Sequence, residues 1–222
     1  MKYRTILFDL DGTLLNTTDL IVASFLHTLD RHCPGQYEEQ DVLSCLGEPL
    51  RDQMIRFGGE ERADEMVRTY REHNIAHHDQ YVKTFPGVNK VIQTLHDAGL
   101  SLGVVSNKSR VTVEMGLKLC RLEPWFSTVV CVEDAEKPKP DPAPIRLALN
   151  RLQAEEKTAL MVGDSKYDLI AAAEAGVDSA GVAWATHGKE SLLSYHPTVI
   201  LETMESLYEV VGLEKAAEGG PS

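Results

Sequence analysis

The stretch FDLDGT, residues 8–13, closes an apolar run and sets the interpretation of the whole chain. Residues 3–10 are rich in apolar, β-branched and aromatic side chains, which predicts a buried strand. Asp9 and Asp11 lie two residues apart, and such positions on a strand point to the same face. Adjacent carboxylates repel, and the pKa of one rises unless a cation intervenes. The pair therefore predicts a site that requires positive charge.

Length, composition and charge narrow the possible classes of protein. The chain has 222 residues, 43% of them hydrophobic, which is enough for one domain with a sizeable core and a small insertion. A net charge of −12 argues against a nucleic-acid or anionic-membrane surface, because both require clustered Lys and Arg. There is no signal-peptide pattern, and the four cysteines lack metal-ligand spacing. We expect a cytoplasmic protein with reduced thiols, either a monomer or a weak homodimer.

Strand-like and helical patterns alternate after the first strand. Further strand-like runs occur at 100–107, 127–132, 158–164, 178–184 and 197–201, with apolar residues at helical spacing between most of them. This alternation predicts βαβ units. The expected fold class is α/β, with a Rossmann-like parallel sheet and helices on both faces.

Residues 16–83 interrupt this alternation and contain no convincing strand. Thr17, Thr18 and Asp19 are candidate N-caps for one helix, and a second helix is predicted from about residue 60 to 78. Because insertions of this length are usually functional, we interpret the segment as a helical lid. The predicted division is a core of residues 1–15 and 84–222 and a cap of residues 16–83. A polar tail from Glu214 is expected to be frayed.

Polar side chains follow four of the predicted strands, where open parallel sheets bind ligands. One such residue alone usually indicates a turn or a helix cap, but four groups on successive strand ends indicate chemistry. The candidates are Asp9, Asp11, Gly12 and Thr13, then Ser106, Asn107 and Lys108, then Lys137 and Lys139, and finally Asp164 and Asp168.

The order of these motifs resembles the haloacid dehalogenase (HAD) superfamily of phosphohydrolases, whose motifs are DxDGT, Ser/Thr, Lys and GDxxxD. The helical insertion resembles the C1 cap of that superfamily. TTDLIVASFLHTLDRHCPGQY, HHDQYV, VEMGLKL and MVGDS further resemble its inorganic pyrophosphatases from Gram-positive bacteria. That resemblance implies hydrolysis of pyrophosphate, including pyrophosphate released when serine-phosphorylated HPr is dephosphorylated.

Several alternatives to the pyrophosphatase interpretation remain. Phosphoglycolate phosphatases share the motifs and the cap class, and a sugar phosphomutase is another possibility. A receiver-type signalling domain also uses acidic residues, Ser/Thr and Lys on a parallel sheet. It is a remote alternative, because receivers have no cap and no counterpart of GDSKYD.

The resemblance also implies catalytic roles. Asp9 would attack phosphorus and form an aspartyl phosphate, and Asp11 would act as general acid and then base. The Asp9 carboxylate, the Asp11 backbone carbonyl and the Asp164 carboxylate would bind a metal. Ligation by oxygen alone favours Mg²⁺. Asp168 would orient the outer shell of the metal.

The remaining candidates would bind the phosphorylated substrate. Ser106 and Asn107 would hold the phosphoryl oxygens. Of the two KPxP lysines, Lys139 is favoured over Lys137 because PDPAP and a helix follow it directly.

Any cations in the cap must act locally, because residues 16–83 contain 13 acidic and 7 basic side chains. Arg51, and Lys83 near the hinge, are the candidate cations on the cap side. Lys108 and Thr13 are candidate substrate-binding residues on the core side. His73 and His77 have the spacing of metal ligands on a helix. With no third ligand evident, we predict a surface or hinge-packing role for them.

Overall fold

A computed structural model describes residues 2–184 and 186–213. A six-stranded parallel sheet forms the core. Its strands are β1 (Thr5–Phe8), β4 (Ser101–Val105), β5 (Thr128–Val130), β6 (Ala159–Gly163), β7 (Asp178–Val182) and β8 (Val199–Leu201). They are arranged in the order β5-β4-β1-β6-β7-β8. The α/β sheet predicted from the sequence is therefore confirmed.

Strand β1 lies at the centre of the sheet and determines where the polar strand ends meet. Thr5 is aligned with Ser101 of β4 on one side and with Ala159 of β6 on the other. The carboxyl ends of these strands consequently lie side by side. Each strand is shorter than its predicted run, because residues at the run ends leave the ladder and form loops.

Helices cover both faces of the sheet, as predicted. Ile6 and Phe8 point into one apolar cluster and Leu7 into the other, which follows from the period-2 alternation of a strand. The core helices are α5 (Val88–Asp97), α6 (Arg110–Leu119), α7 (Ala143–Leu152), α8 (Lys166–Ala175), α9 (Glu190–Leu193) and α10 (Ser206–Val211). Helices α5 and α6 contribute to the first cluster, and α7 packs in the second.

Four helices form the inserted segment: α1 (Thr18–His32), α2 (Glu39–Leu43), α3 (Leu50–Gly58) and α4 (Glu60–Tyr81). We call residues 18–81 the helical cap. Two of these helices match the predicted ones, and two shorter helices lie between them. The cap has its own apolar cluster, in which Phe25 of α1 packs against Phe57 of α3 and Tyr70 of α4.

Two short strands join the cap to the core, and sequence analysis did not predict them. Strand β2 (Leu15–Asn16) pairs antiparallel with β3 (Lys83–Thr84). Two-residue strands show no alternation, and their stability comes from pairing across the cap, so no local pattern indicates them. The pair ties together the points where the chain leaves and re-enters the core.

Several smaller expectations also meet the structure. The four cysteines are free thiols, and Cys33, Cys45 and Cys131 are buried. The rings of His73 and His77 stack with centroids 4.2 Å apart, which fits the packing role predicted for them. Within the described ranges, no helix has the length and hydropathy needed to span a bilayer. The tail from Glu214 lies outside the described residues.

Candidate active site

The Lys139 side chain is buried at the carboxyl end of β1 between two carboxylates. Its Nζ donates to Asp9 Oδ1 at 2.8 Å, to Asp168 Oδ1 at 2.6 Å and to the Val105 carbonyl at 2.6 Å. Burial lowers the pKa of Lys139, but the Asp168 and Asp9 charges outweigh this and raise the pKa overall. The raised pKa favours the charged ammonium, which three acceptors hold in position.

Lys137 and Lys139 are clearly distinguished by their surroundings. The Lys137 side chain is 75% exposed, and its Nζ lies 4.0 Å from Asp141 Oδ2. The Lys139 side chain is 2% exposed and contacts Asp9. The geometry thus agrees with the choice of Lys139 made from the sequence.

Asp9 and Asp164 are strongly perturbed carboxyl groups. Burial raises the pKa of Asp9 from 3.8 to about 7, although the Lys139 charge opposes the shift. Burial, followed by the nearby Asp9 charge, raises the pKa of Asp164 well above its ordinary value. In both groups burial is the main cause of the raised pKa, neighbouring carboxylates add to it, and the Lys139 charge opposes it only in part.

Gly12 allows the Asp164 carboxylate to approach the turn after β1. Its φ of +79° lies in the left-handed region, which favours glycine, and a Cβ added there would lie 2.2 Å from Asp164 Oδ2. The hydroxyl of the following residue, Thr13, donates to Asp164 Oδ1 at 3.4 Å. Thr13 is fully buried. This position suits support of Asp164 better than the substrate contact predicted from the sequence.

The residues at this site fit a hard divalent cation. Carboxylate oxygens of Asp9, Asp164 and Asp168 lie within 4.8 Å of one another. Both oxygens of Asp168 are engaged, one by Lys139 and the other by the Ser165 amide and hydroxyl. Asp9 and Asp164 therefore remain available as carboxylate ligands, with Asp168 behind them, and the ligand assignment made from the sequence stays a prediction. Oxygen donors and excess negative charge suit Mg²⁺.

Asp11 lies beside Asp9 but is paired with a different lysine. Lys108 Nζ donates to Asp11 Oδ1 at 3.0 Å, and both side chains are largely buried. The two carboxylates of the opening motif are thus bound to separate cations. This arrangement gives Asp9 and Asp11 different surroundings, as their different predicted roles require.

The loop after β4 holds the Lys139 loop in place. The Asn107 amide donates to the Lys139 carbonyl at 2.9 Å, and its oxygen accepts from the Lys139 amide at 2.8 Å. Ser106 Oγ accepts from the Lys108 amide at 3.2 Å. The Asn107 side chain therefore positions Lys139. Direct phosphoryl binding by Ser106 and Asn107 stays a prediction, and both residues line the cavity described next.

A cavity of about 390 Å³ lies between these residues and the cap. Asp9, Asp11, Lys108 and Lys139 line its core side. Side chains of α1, α3 and α4 and the 46–49 loop line the opposite side. The arrangement places two carboxylates and two ammonium groups in a cavity covered by the cap helices, and such a set can transfer a phosphoryl group.

The two cap cations singled out in the sequence lie in different places. Arg51 lines the cavity, but its guanidinium binds Glu60 at 2.7 Å and Asp64 at 3.0 Å. Lys83 is exposed on β3 and does not line the cavity. Lys83 therefore does not occupy the position expected for a substrate-binding cation, whereas a role for Arg51 stays a prediction.

Sequence analysis did not assign a ligand-binding role to several polar cavity residues in and next to the cap. Thr17 precedes α1, and Tyr70, Arg71 and Asn74 lie on α4. The three α4 positions are spaced as one helix face, together with Val67 at i, i+3, i+4 and i+7. Polar residues on an inward-facing stripe are the signal that could have identified them.

Comparison with known proteins agrees with this fold and site. Residues 6–182 match the model of the haloacid dehalogenase-like hydrolase family. A haloacid dehalogenase-like family hydrolase from Streptococcus pneumoniae has the same fold, with a TM-score of 0.84 and 22% identity over 95% of this chain and 99% of that one. The chain belongs to the haloacid dehalogenase-like hydrolases.

Two relatives within that family are much more similar in sequence. Pyrophosphatase PpaX of Anoxybacillus flavithermus is 49% identical, covering 96% of this chain and 99% of the relative. Pyrophosphatase PpaX of Bacillus velezensis is 46% identical, covering 96% of this chain and 98% of the relative. The similarity therefore includes the cap as well as the core.

Proposed function

We propose that this hydrolase cleaves inorganic pyrophosphate into two phosphates through an aspartyl phosphate on Asp9. The observation that carries the proposal is the buried Asp9–Lys139 pair facing an enclosed cavity, with Asp11 beside it. The choice of pyrophosphate is supported by relatives named Pyrophosphatase PpaX that match along nearly the whole chain.

The first half of the reaction transfers a phosphoryl group to Asp9. A carboxylate oxygen of Asp9 forms a bond to phosphorus while the bond to the bridging oxygen breaks. Asp11 gives its proton to the leaving phosphate. The fixed Lys139 ammonium stabilises negative charge on Asp9 and on the phosphoryl oxygens.

The second half releases phosphate and restores the carboxylate. Asp11, now ionised, takes a proton from water, whose oxygen attacks the phosphorus of the aspartyl phosphate. The bond between phosphorus and the Asp9 oxygen breaks. Both residues return to their starting protonation states, and the two product phosphates account for all atoms of pyrophosphate and water.

A divalent cation belongs to this proposal. Asp9 and Asp164 carboxylates and the Asp11 carbonyl would hold Mg²⁺, with Asp168 behind them. When bound, the ion supplies neutralisation of substrate charge. The preference for Mg²⁺ over other hard cations rests on the oxygen-only donor set.

The cellular setting is part of the same proposal. On the resemblance to the Gram-positive pyrophosphatases, we propose a cytoplasmic enzyme that clears pyrophosphate released when serine-phosphorylated HPr is dephosphorylated. The partner is a small phosphorylated substrate, and we expect a monomer or a weak homodimer.

A panel of substrates tests the proposed activity. Pyrophosphate, 2-phosphoglycolate and hexose phosphates are compared at saturating Mg²⁺, with Asp9→Asn measured in parallel to exclude contaminating phosphatases. We expect the highest kcat/KM for pyrophosphate and no turnover by Asp9→Asn. A preference of about tenfold or more for 2-phosphoglycolate would overturn the substrate assignment, and turnover by Asp9→Asn would overturn the nucleophile.

A further inference from the structure

Helix α4 presents one mixed face to the cavity. Val67, Tyr70, Arg71 and Asn74 all line it and follow the spacing of a single helix face. A wall that only closed the cap would be apolar at all four positions. Three of the four side chains are polar instead, on the side that faces the proposed nucleophile.

Arg71 differs from the other cations that line the cavity. Lys139 is bound to Asp9 and Asp168, Lys108 to Asp11, and Arg51 to Glu60 and Asp64. Among residues 2–184 and 186–213, Arg71 has no carboxylate within ion-pair distance. Arg71 is an exposed residue that also lines the cavity, so its charge is left to solvent or to a ligand and not to a carboxylate of the described residues.

Two buried residues that line the same cavity each have a polar atom without a partner among the described residues. Asn74 is 1% exposed, and its Oδ1 accepts no hydrogen bond from any described residue. Thr17 is also 1% exposed, and its hydroxyl is unpaired within the same ranges. Native proteins rarely bury unpaired polar groups, and both residues line the cavity. Of the two, the Thr17 hydroxyl can donate to an anionic ligand, whereas the Asn74 amide oxygen can only accept a hydrogen bond.

The Tyr70 hydroxyl has a proton to offer. It accepts a hydrogen bond from Asn74 Nδ2 at 3.4 Å, which leaves its own O–H available. Burial, reinforced by the Asp11 charge, raises the pKa of Tyr70 well above its ordinary value. The hydroxyl therefore stays protonated and serves as a donor, and Asn74 orients it.

We propose that Arg71 and Tyr70, with Tyr70 positioned by Asn74, form the cap subsite that binds an anionic leaving group. For pyrophosphate, which is the substrate under the function proposed above, this group is the phosphoryl unit that departs as phosphate. A guanidinium suits such an anion because it can donate two parallel hydrogen bonds to phosphate oxygens. The inference places the specificity of the cap on α4.

The test compares two arginines of α4 against two kinds of leaving group. Arg71→Gln and Arg68→Gln remove the same charge from the same helix, and Arg68 is exposed and does not line the cavity. Pyrophosphate has a charged leaving group, and phenyl phosphate has an uncharged ring. Arg71→Lys and Tyr70→Phe complete the set, and circular dichroism checks the fold of each variant.

We expect Arg71→Gln to raise the KM for pyrophosphate about tenfold or more while kcat changes by less than about threefold. Its kcat/KM for phenyl phosphate should stay within about twofold of wild type. For Arg68→Gln, kcat/KM should stay within about twofold of wild type with both substrates. Arg71→Lys should recover part of the loss, and Tyr70→Phe should raise the KM for pyrophosphate several-fold. A merely structural role would lower activity toward both substrates alike.

Other outcomes separate this inference from the proposed function. If the wild type hydrolyses pyrophosphate and Arg71→Gln behaves like Arg68→Gln, the subsite is wrong and the function stands. If 2-phosphoglycolate is hydrolysed and pyrophosphate is not, the proposed substrate is wrong. The same comparison on 2-phosphoglycolate, whose leaving group carries a carboxylate, then decides the subsite.

Discussion

Lys139 is a buried ammonium whose three partners come from different parts of the chain. Asp9 lies 130 positions away, Val105 lies 34 away, and Asp168 lies 29 away in the other direction. A buried charge is tolerated only when it is paired, so the surrounding carboxylates and the lysine depend on one another. The residue thus has a structural role as well as its proposed role in the reaction.

Replacing the two lysines should separate these roles. Lys139→Ala is expected to reduce the rate of hydrolysis on the order of 10²-fold or more, because a preorganised charge is lost at the reacting group. Lys137→Ala, which alters an exposed side chain four residues from Asp141, should stay within about twofold. Steady-state rates at saturating Mg²⁺ provide the measurement. Equal losses, or a larger loss for Lys137→Ala, would contradict the assignment.

A second prediction concerns Asp164 in the metal-free protein, which is prepared in excess EDTA. A carboxyl with a raised pKa holds its proton more tightly when folded. Its effect on the free energy of unfolding therefore turns unfavourable as pH rises from about 4 through the folded-state pKa. Asp164→Asn should stabilise the metal-free protein at pH 8 by roughly 1 kcal/mol or more, and by much less at pH 4.

Urea denaturation at the two pH values measures this difference, with exposed Glu174→Gln as the control. If Asp164→Asn proves no more stabilising at pH 8 than at pH 4, the carboxyl is not strained in the metal-free protein. Addition of Mg²⁺ at pH 8 should reverse the sign, because the variant loses a proposed ligand.

At the scale of secondary-structure elements, the turn after β1 also makes room for a side chain that comes from another part of the chain. Gly12 combines a left-handed backbone with close contact to Asp164, whereas Gly176 has a similar φ of +75° at the end of α8 and no atom near its missing Cβ. Both glycines thus face the same conformational demand. Only the first also makes room for another element of the fold.

Alanine at these two glycines should therefore have unequal effects. Gly176→Ala is expected to lower the free energy of unfolding by about 1 kcal/mol, because alanine is unfavourable in the left-handed region. Gly12→Ala should cost at least about 1 kcal/mol more, and it should raise the Mg²⁺ concentration needed for half-maximal activity because Asp164 must move. Denaturant midpoints and Mg²⁺ titrations measure the two effects. Equal stability losses with unchanged Mg²⁺ dependence would refute this view of the turn.

At the scale of the whole molecule, negative charge is concentrated where a cation is expected. The chain has a net charge of −12, and Lys139 forms ion pairs with Asp9 and Asp168, which cluster with a third carboxylate, Asp164. The cap carries an excess of acidic residues as well. A substrate that is itself a polyanion enters such a site only if cations offset the repulsion.

Metal removal should therefore affect activity and stability together. EDTA should abolish hydrolysis and Mg²⁺ restore it, and the Tm should rise with Mg²⁺ concentration because the ion binds only the folded site. At 100 times the Kd, linkage gives a gain of about 2.7 kcal/mol in the free energy of unfolding. Calorimetry of wild type and Asp164→Ala compares the two gains. Full activity in EDTA would contradict the cofactor assignment.

The sequence by itself determined the layers of the fold and the group of polar residues at the active edge. Strand alternation and helical periodicity are local properties, so all six core strands and the interruption at residues 16–83 could be predicted from them. Parallel strands place their carboxyl ends together, so the sequence alone predicts that Asp9, Asp11, Lys139 and Asp164 are neighbours.

Only the tertiary structure decided which side chains those residues contact. It pairs β2 with β3 at the hinge, binds Arg51 to Glu60 and Asp64, and brings Arg71 to the cavity wall. It also turns Asn107 toward the backbone of Lys139. These contacts join residues far apart in the chain, and their energies depend on distances of a few ångströms. Local patterns specify the elements, whereas the packing of the elements specifies the charges that meet.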